Sequence, residues 1–150
     1  MSPTDTAVRI DPLALDNQIC FALAIASRSV ISLYRPLLEP LGLTHPQYLV
    51  LLTLWEKDNR TLGEIATVLQ LDSATLSPLV KRLEALGYIS RQRRTSDERV
   101  LDIALTERGR ELRGAAEKIP PAMVERLDLE LSELQALRDS LRGVIAAAQH

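Results

Sequence analysis

Residues 71–109, LDSATLSPLVKRLEALGYISRQRRTSDERVLDIALTERG, decide the fold that this chain is expected to adopt. The first half predicts a helix, because Asp72 can cap its start and apolar side chains then recur at helical spacing until Gly87. In the second half, polar and apolar residues alternate on both sides of a polar turn at residues 95–98. That alternation predicts a β-hairpin.

A shorter helix, with apolar residues at helical spacing between Leu62 and Leu69, is predicted just before this stretch. Two short helices joined by a tight turn and followed by a hairpin form a winged helix-turn-helix, although the helix pair alone also fits a helical bundle. On the second helix, the face opposite the Leu and Val stripe carries small hydroxyl groups first and cations later. Such a face suits the major groove of DNA, where short side chains let the helix approach base edges and cations bind guanine or phosphate. The residues of this helix predicted to contact DNA are Ser73, Thr75, Ser77, Lys81 and Arg82.

The hairpin adds positive charge to this surface. Between residues 81 and 99, six cationic side chains stand against three acidic ones, a balance of +3, whereas the whole chain carries −2. Arg91 and Arg93 share one strand face, which suits phosphates, and Arg99 follows the turn, where it suits a minor groove with Asp97 holding its guanidinium. The alternative is a solvated hairpin with weak surface ion pairs. The hairpin residues predicted to contact DNA are Arg91, Arg93, Arg94, Asp97 and Arg99.

Composition narrows the class of protein. The chain has 150 residues, of which 46% are apolar and only 3% aromatic, so aliphatic packing between helices is favoured over a β-sandwich. A single cysteine excludes a disulfide within the chain and a CxxC metal or redox pair. No signal-like N-terminus and no run of about 18 apolar residues is visible, so we expect a cytoplasmic protein without membrane contact. No cofactor or metal ion is expected.

The N-terminal part predicts a long amphipathic helix. Asp11 is expected to cap it, with Pro12 as its first residue and an end near Glu39, while residues 1–10 are expected to form a frayed arm. The helix carries a heptad-like apolar seam that needs a partner helix. The seam consists of Ile19, Leu23, Ala26, Val30, Leu33 and Leu37.

The C-terminal part repeats this pattern. A helix opens at Thr106 and is interrupted at Pro120-Pro121, and a second seam follows. The two seams either pack on each other within one chain or join two chains in a homodimer, and two terminal seams favour the homodimer. The second seam consists of Leu127, Leu131, Leu134, Leu137, Leu141, Val144 and Ala148.

We therefore expect one domain over residues 1–150 that is mainly α with a small β component (α+β). Its winged helix-turn-helix would occupy about residues 46–105. The helices of about residues 11–45 and 106–150 would form the dimerisation region.

Two motifs resemble a known family. The run DERVLDIALTERG, residues 97–109, resembles the wing of MarR-type transcriptional regulators. The stretches LDNQICFAL, residues 15–23, and LYRPLLEPLGLTHPQYLVLLTLWE, residues 33–56, resemble the organic hydroperoxide resistance regulators of that family, in their one-cysteine class. This resemblance implies a dimeric repressor, not an enzyme, that binds a double-stranded DNA operator when Cys20 is reduced. Oxidation of Cys20 by an organic hydroperoxide would then release the DNA.

A helix starting at Pro12 would place Cys20 about two turns inside, beyond the reach of the helix dipole, so its thiolate would need another stabilising group. The resemblance implies that phenols provide it. Tyr34 matches one such phenol. If two first helices crossed antiparallel near Ser27, position 20 of one would meet position 34 of the other. The sequence departs from the family at Ala24 and at His45, where tyrosines are expected. His45 either replaces a phenol or is a solvated residue at a helix start. Tyr48 on the same helix is a third candidate, for which core packing is the favoured interpretation.

Other hypotheses remain open at this level. Cys20 is also compatible with ordinary packing as a small hydrophobe. If it is a sensor, its sulfenic acid would pass to a mixed disulfide with a low-molecular-weight thiol, to a Cys20–Cys20 bridge or to a higher oxide. A MarR-type repressor that responds to a phenolic or aromatic ligand, a thiol peroxidase and a helical interaction protein without DNA binding are the competing functions.

Overall fold

The computed structural model describes residues 11–149, so the arm predicted for residues 1–10 and the terminal His150 lie outside the described residues. Within this range the chain forms helices and three short strands, as expected for a mainly α winged helix-turn-helix. The helices are α1 (Ile19–Leu38), α2 (His45–Glu56), α3 (Leu62–Leu69), α4 (Ser73–Ala85), α5 (Glu107–Ala116), α6 (Ile119–Leu127) and α7 (Leu131–Ala148). The strands are β1 (Arg60–Thr61), β2 (Ile89–Arg94) and β3 (Asp97–Leu105).

The sheet consists of the predicted hairpin and one additional strand. β2 and β3 pair antiparallel, with Arg91 opposite Ile103, and the sheet order is β1-β3-β2. β1 pairs antiparallel with β3 through Arg60 opposite Ile103. The sequence did not predict β1, because two residues are too few to show an alternating pattern. This strand ties the start of α3 to the root of the hairpin.

The core lies between the helix-turn-helix and the helices around it. Thr44 and Gln47 form a capping box at the start of α2, and Asp72 caps α4 by accepting a 2.7 Å hydrogen bond from the Thr75 N–H. Leu76, Val80 and Leu83 of α4 are buried, Leu79 is partly buried, and the opposite face of the helix is left to solvent. The largest completely buried side chains are Leu38, Val50, Leu51, Leu54, Ile65, Leu76, Val80, Leu83, Ile89 and Ile103.

The junction between the hairpin and α5 leaves no room for a side chain at Gly109. A Cβ built on Gly109 would lie 2.0 Å from the main-chain oxygen of Tyr88. The carbonyl of Gly109 accepts a 2.9 Å hydrogen bond from Trp55 Nε1 of α2. Thr106, the predicted cap, accepts from the Gly109 N–H and donates to the carbonyl of Gly87 at 2.6 Å. This close packing fixes α5 against the root of the hairpin.

The predicted start of the first helix is wrong. Asp11 caps only a turn, in which its Oδ1 accepts from the Leu13 N–H, and α1 begins at Ile19 after a short 3₁₀ segment. The Gln18 side chain donates to the carbonyls of Pro12 and Ala14, at 2.7 and 3.1 Å, and Gln18 itself is extended. Because amide side chains take up these carbonyl groups, the first turn does not continue into a helix.

The C-terminal helices agree with the prediction except for one additional break. The chain leaves the helix after Ala116, and Pro120 and Pro121 stand in the first turn of α6, where a missing N–H costs no hydrogen bond. Asp128, with φ of 51°, then ends α6 in a left-handed conformation. The predicted second seam is therefore divided between α6 and α7.

Apolar side chains of α1 and α7 face solvent. Val30, Leu33 and Leu37 of the first seam pack on the core of their own chain, whereas Ile19 is 73% exposed. By length and composition alone, the segment Ile19–Leu41 would be able to cross a membrane, with a mean hydropathy of 1.2, a feature that the sequence analysis did not anticipate. Only 6% of the apolar 18-residue stretch within this segment is buried. An exposed apolar face of this size is equally expected for a helix that packs on a partner chain.

Candidate DNA-binding surface and cysteine site

The outer face of α4 has the composition that the sequence predicts. Ser73, Thr75, Lys81 and Arg82 are exposed, and Ser77 is half-buried on the flank. The opposite face is fixed by buried leucine and valine side chains. A convex helix with small hydroxyls and cations on its free face can enter a major groove.

A cavity of about 470 Å³ separates α4 from the hairpin and is lined by cations of both elements. Its position makes it a cleft for an anion such as a DNA phosphate. Sequence reasoning missed that the start of α3 also lines this cleft, although the capping sequence at Thr61 was a signal for a helix start there. The predicted residues that line it are Ser73, Ser77, Lys81, Arg91, Arg93 and Arg99.

Not all of the predicted cations have their charge available. Glu84 Oε1 accepts a 3.0 Å hydrogen bond from Arg91 Nη2, and Glu84 Oε2 accepts one of 3.1 Å from the Arg91 main-chain N–H. The hydrogen bond from Arg91 holds the pKa of Glu84 below its usual range. This pair ties the last turn of α4 to β2, while Arg91 Nε is buried without a partner among the described residues. Sequence reasoning counted Glu84 only as a negative charge and did not recognise this tie.

The tip of the hairpin holds two further pairs. Asp102 binds Arg94 at 2.8 Å, and Asp97 binds Arg99 Nε at 3.1 Å, the contact expected for a wing tip. The hydrogen bonds from these arginines lower the pKa of Asp102 and of Asp97. Arg99 nevertheless leaves 91% of its side chain exposed, compared with 45% for Arg94. Within residues 11–149, Lys81, Arg82 and Arg93 form no ion pair.

Cys20 is the second residue of α1 and is exposed. The expectation that it lies two turns inside the helix is therefore wrong. The Ala22 N–H is bonded to the Gln18 carbonyl, so the N–H groups of Ile19, Cys20 and Phe21 precede the first intrahelical bond. Free N–H groups and the positive end of the helix dipole favour an anion at this position.

The predicted thiolate partners form an aromatic cluster at the other end of α1. The ring of His45 lies 4.8 Å from that of Tyr34, and the ring of Tyr48 lies 5.9 Å from that of Tyr34. Burial raises the pKa of Tyr34 and lowers that of His45, and burial together with Tyr34 raises the pKa of Tyr48. The structure gives neither phenol nor the imidazole a hydrogen-bond partner among residues 11–149. Tyr48 is 4% exposed and also packs on Trp55, so it belongs to the core as well as to the cluster.

Within one chain the cysteine and this cluster do not meet. Cys20 and Tyr34 are separated by two heptads on one helix, a distance of about 21 Å at the usual rise. Heptad spacing places Cys20, Ser27 and Tyr34 on one stripe of α1, of which Cys20 and Ser27 are exposed. Six of the residues predicted for DNA binding thus line one cleft of a single chain, whereas Cys20 lies apart from the cluster of Tyr34, His45 and Tyr48.

Comparison with known proteins gives a consistent result. The family model for the transcriptional regulator SarA/Rot matches residues 32–115. The HTH-type transcriptional regulator TtmR of Methylorubrum extorquens is 46% identical over 91% of this chain and 70% of its own length. The organic hydroperoxide resistance transcriptional regulator of Bacillus subtilis is 41% identical over 89% of this chain and 90% of its own length.

Similarity extends to a solved complex. The structure of reduced AbfR bound to DNA superimposes on this chain with a TM-score of 0.76. It is 36% identical and covers 91% of this chain and 95% of its own chain. AbfR of Staphylococcus epidermidis has also been solved. These relatives are regulators of transcription and not enzymes.

Proposed function

Because this chain belongs to the MarR family of transcriptional regulators, in its organic hydroperoxide resistance type with one cysteine, we propose that it is a peroxide-responsive repressor. Its homodimer binds a double-stranded DNA operator while Cys20 is reduced and releases the operator when an organic hydroperoxide oxidises Cys20. The observation that carries this proposal is the exposed thiol in the first turn of α1, on the same stripe as a phenol without an internal partner. Because it acts on the chromosome, we place the protein in the cytoplasm.

DNA would be read by two elements of each protomer. Helix α4 enters the major groove, with Ser73, Thr75 and Ser77 near the base edges. Arg99, held by Asp97, enters the adjacent minor groove. The cations that form no ion pair bind phosphates and supply most of the affinity, which is therefore salt-dependent.

The homodimer would be built by an antiparallel crossing of two α1 helices at Ser27. A small residue at the crossing allows close approach of the two helices. Since Cys20 and Tyr34 are each seven residues from Ser27, both thiols then meet the partner's aromatic cluster at once. The same contact covers the apolar face that α1 exposes in a single chain.

This geometry also limits the fate of the oxidised thiol. The two Cys20 residues lie on opposite sides of the crossing, about 21 Å apart by helix rise, whereas a disulfide requires Cα atoms within about 7 Å. A Cys20–Cys20 bridge would need a large rearrangement. A mixed disulfide with a low-molecular-weight thiol is therefore favoured. The bulk of the attached thiol in the dimer contact would shift the α4 helices of the two protomers away from the spacing of about 34 Å between successive major grooves.

The decisive experiment replaces Cys20 by serine. The Cys20→Ser variant is expected to bind operator DNA with unchanged affinity and to stay bound at doses of cumene hydroperoxide that release the wild type completely. Mobility shift would measure binding, and mass spectrometry would follow the oxidation state of Cys20 in the same samples. Release of the variant at the wild-type dose would refute the proposal.

A ligand-responsive repressor is the second candidate. A cavity of about 340 Å³ between α2, α5 and α6 is lined by Tyr48 and Trp55, which suit an aromatic ring. Glu56 and the ion pair of Arg113 with Glu117 also line it, and these groups suit a phenolic hydroxyl better than a carboxylate. This candidate predicts release of both the wild type and Cys20→Ser by phenol in the absence of oxidant.

The wing tip supplies a prediction with a matched control. Arg99→Gln is expected to lower operator affinity about tenfold. It is also expected to reduce the slope of log affinity against log salt concentration by about one, since about one counterion fewer is released. Arg94→Gln should change affinity by less than about threefold, because Asp102 pairs with its guanidinium and only 45% of its side chain is exposed, against 91% for Arg99. Fluorescence anisotropy at several salt concentrations measures both. Equal losses for the two variants would contradict the role given to Arg99.

A further inference from the structure

The aromatic cluster of Tyr34, His45 and Tyr48 contains three groups that can hydrogen-bond, and they differ in what they can do with a proton. Burial raises the pKa of both phenols, so they keep their protons at neutral pH and can donate hydrogen bonds but do not take up a further proton. Burial lowers the pKa of His45, so its imidazole is neutral and has one nitrogen free to accept a proton. His45 is therefore the only member of the cluster that can both take up and give back a proton near neutral pH.

His45 is also well placed on its helix. It is the first residue of α2, next to the capping Thr44, and its ring packs against that of Tyr34 in a tilted arrangement, with the ring centres 4.8 Å apart. A shallow cavity of about 310 Å³ opens beside it. The charged groups that line this cavity are Arg35 and Glu39, one of each sign, so neither charge dominates there.

We propose that His45 carries the proton of the partner's Cys20 thiol to the alkoxide that leaves when the hydroperoxide is cleaved. This inference rests on the proposed function, because His45 reaches a thiol only across the dimer.

The chemistry balances without another reactant. The imidazole takes the thiol proton, and the resulting thiolate attacks the terminal oxygen of the hydroperoxide. The S–O bond forms and the O–O bond breaks, so that the cysteine becomes a sulfenic acid and an alkoxide leaves. The imidazolium returns the proton to the alkoxide. In total, one thiol and one hydroperoxide give one sulfenic acid and one alcohol.

The test compares oxidants that differ in their leaving group. tert-Butyl hydroperoxide releases a strongly basic alkoxide that needs a proton, whereas peroxyacetic acid releases acetate, which does not. Rates of Cys20 oxidation by each are measured by stopped-flow on the full-length protein, and alkylation by iodoacetamide reports the amount of thiolate. In His45→Gln, the ratio of the tert-butyl hydroperoxide rate to the peroxyacetic acid rate is expected to fall at least about tenfold. The amide of glutamine still donates a hydrogen bond, but it cannot carry a proton.

Arg35→Gln is the matched control, because it removes a neighbouring charge without touching the imidazole. Its rate ratio is expected to stay within about threefold of the wild type. A His45→Gln ratio equal to that of the wild type, even with both rates reduced, would overturn the inference, since His45 would then act on the thiolate alone or not at all. An equal fall in Arg35→Gln would also overturn it. Failure of wild-type Cys20 to react with either oxidant would instead overturn the proposed function.

Discussion

Replacing Gly109 by alanine is expected to lower the free energy of unfolding by about 3 kcal/mol or more. The added Cβ would lie 2.0 Å from the Tyr88 carbonyl oxygen, which is main chain and cannot rotate away. Separating the two segments would also break the hydrogen bond from Trp55 Nε1 to the Gly109 carbonyl. Urea unfolding, followed by circular dichroism at fixed protein concentration, measures the loss.

Gly114 provides the control on the same helix. A Cβ at Gly114 meets nothing within 4 Å, so Gly114→Ala is expected to raise the unfolding free energy by about 0.5–1 kcal/mol through helix propensity. The two substitutions are chemically identical and differ only in their surroundings. Similar stabilities for both variants would show that the contact between α5 and the hairpin root is looser than described.

The second large effect is expected at the crossing of the proposed dimer. Ser27→Glu would place two like charges against each other on the two-fold axis and remove both from water. We expect the dimer to dissociate and operator affinity to fall at least about a hundredfold, because a single protomer makes only half of the DNA contacts. Analytical ultracentrifugation and mobility shift measure the two effects.

Ser32→Glu is the matched control for this substitution. Ser32 is also exposed on α1 but lies about 140° around the helix from Ser27. We expect it to leave both the assembly and DNA binding unchanged. A dimeric Ser27→Glu protein with normal affinity would exclude the antiparallel crossing and, with it, the meeting of Cys20 and the aromatic cluster.

The central part of the fold was predictable from sequence because its signals are local. The cap at Asp72, the stripe from Leu76 to Leu83 and the turn after Arg94 each act within a few residues, and α4 and the hairpin lie where these signals place them. The start of α1 was not predictable in the same way. Asp11-Pro12 is a valid helix start by local rules, and it is overruled by the Gln18 amide, whose hydrogen bonds close a turn instead.

The candidate site was predictable by residue type more than by arrangement. The cations of the hairpin were identified, but the two hydrogen bonds from Arg91 to Glu84 depend on how α4 meets β2, and a count of charges does not reveal them. Grouping Tyr34 with His45 and Tyr48 rested on the family resemblance, and the structure brings the three rings together. Their proposed contact with Cys20 involves two chains, and the periodicity of one sequence and the packing of one protomer carry no signal for it.

Glu84 holds both the main chain and the guanidinium of Arg91, so it ties the last turn of α4 to β2. If α4 and the hairpin enter neighbouring grooves as proposed, this tie keeps the distance between them nearly constant, and a DNA site with a different groove spacing has to bend or narrow to fit. DNA too stiff to do so would then bind more weakly even where every contacted base is correct. Part of the target preference would in this way be a mechanical property of the nucleic acid.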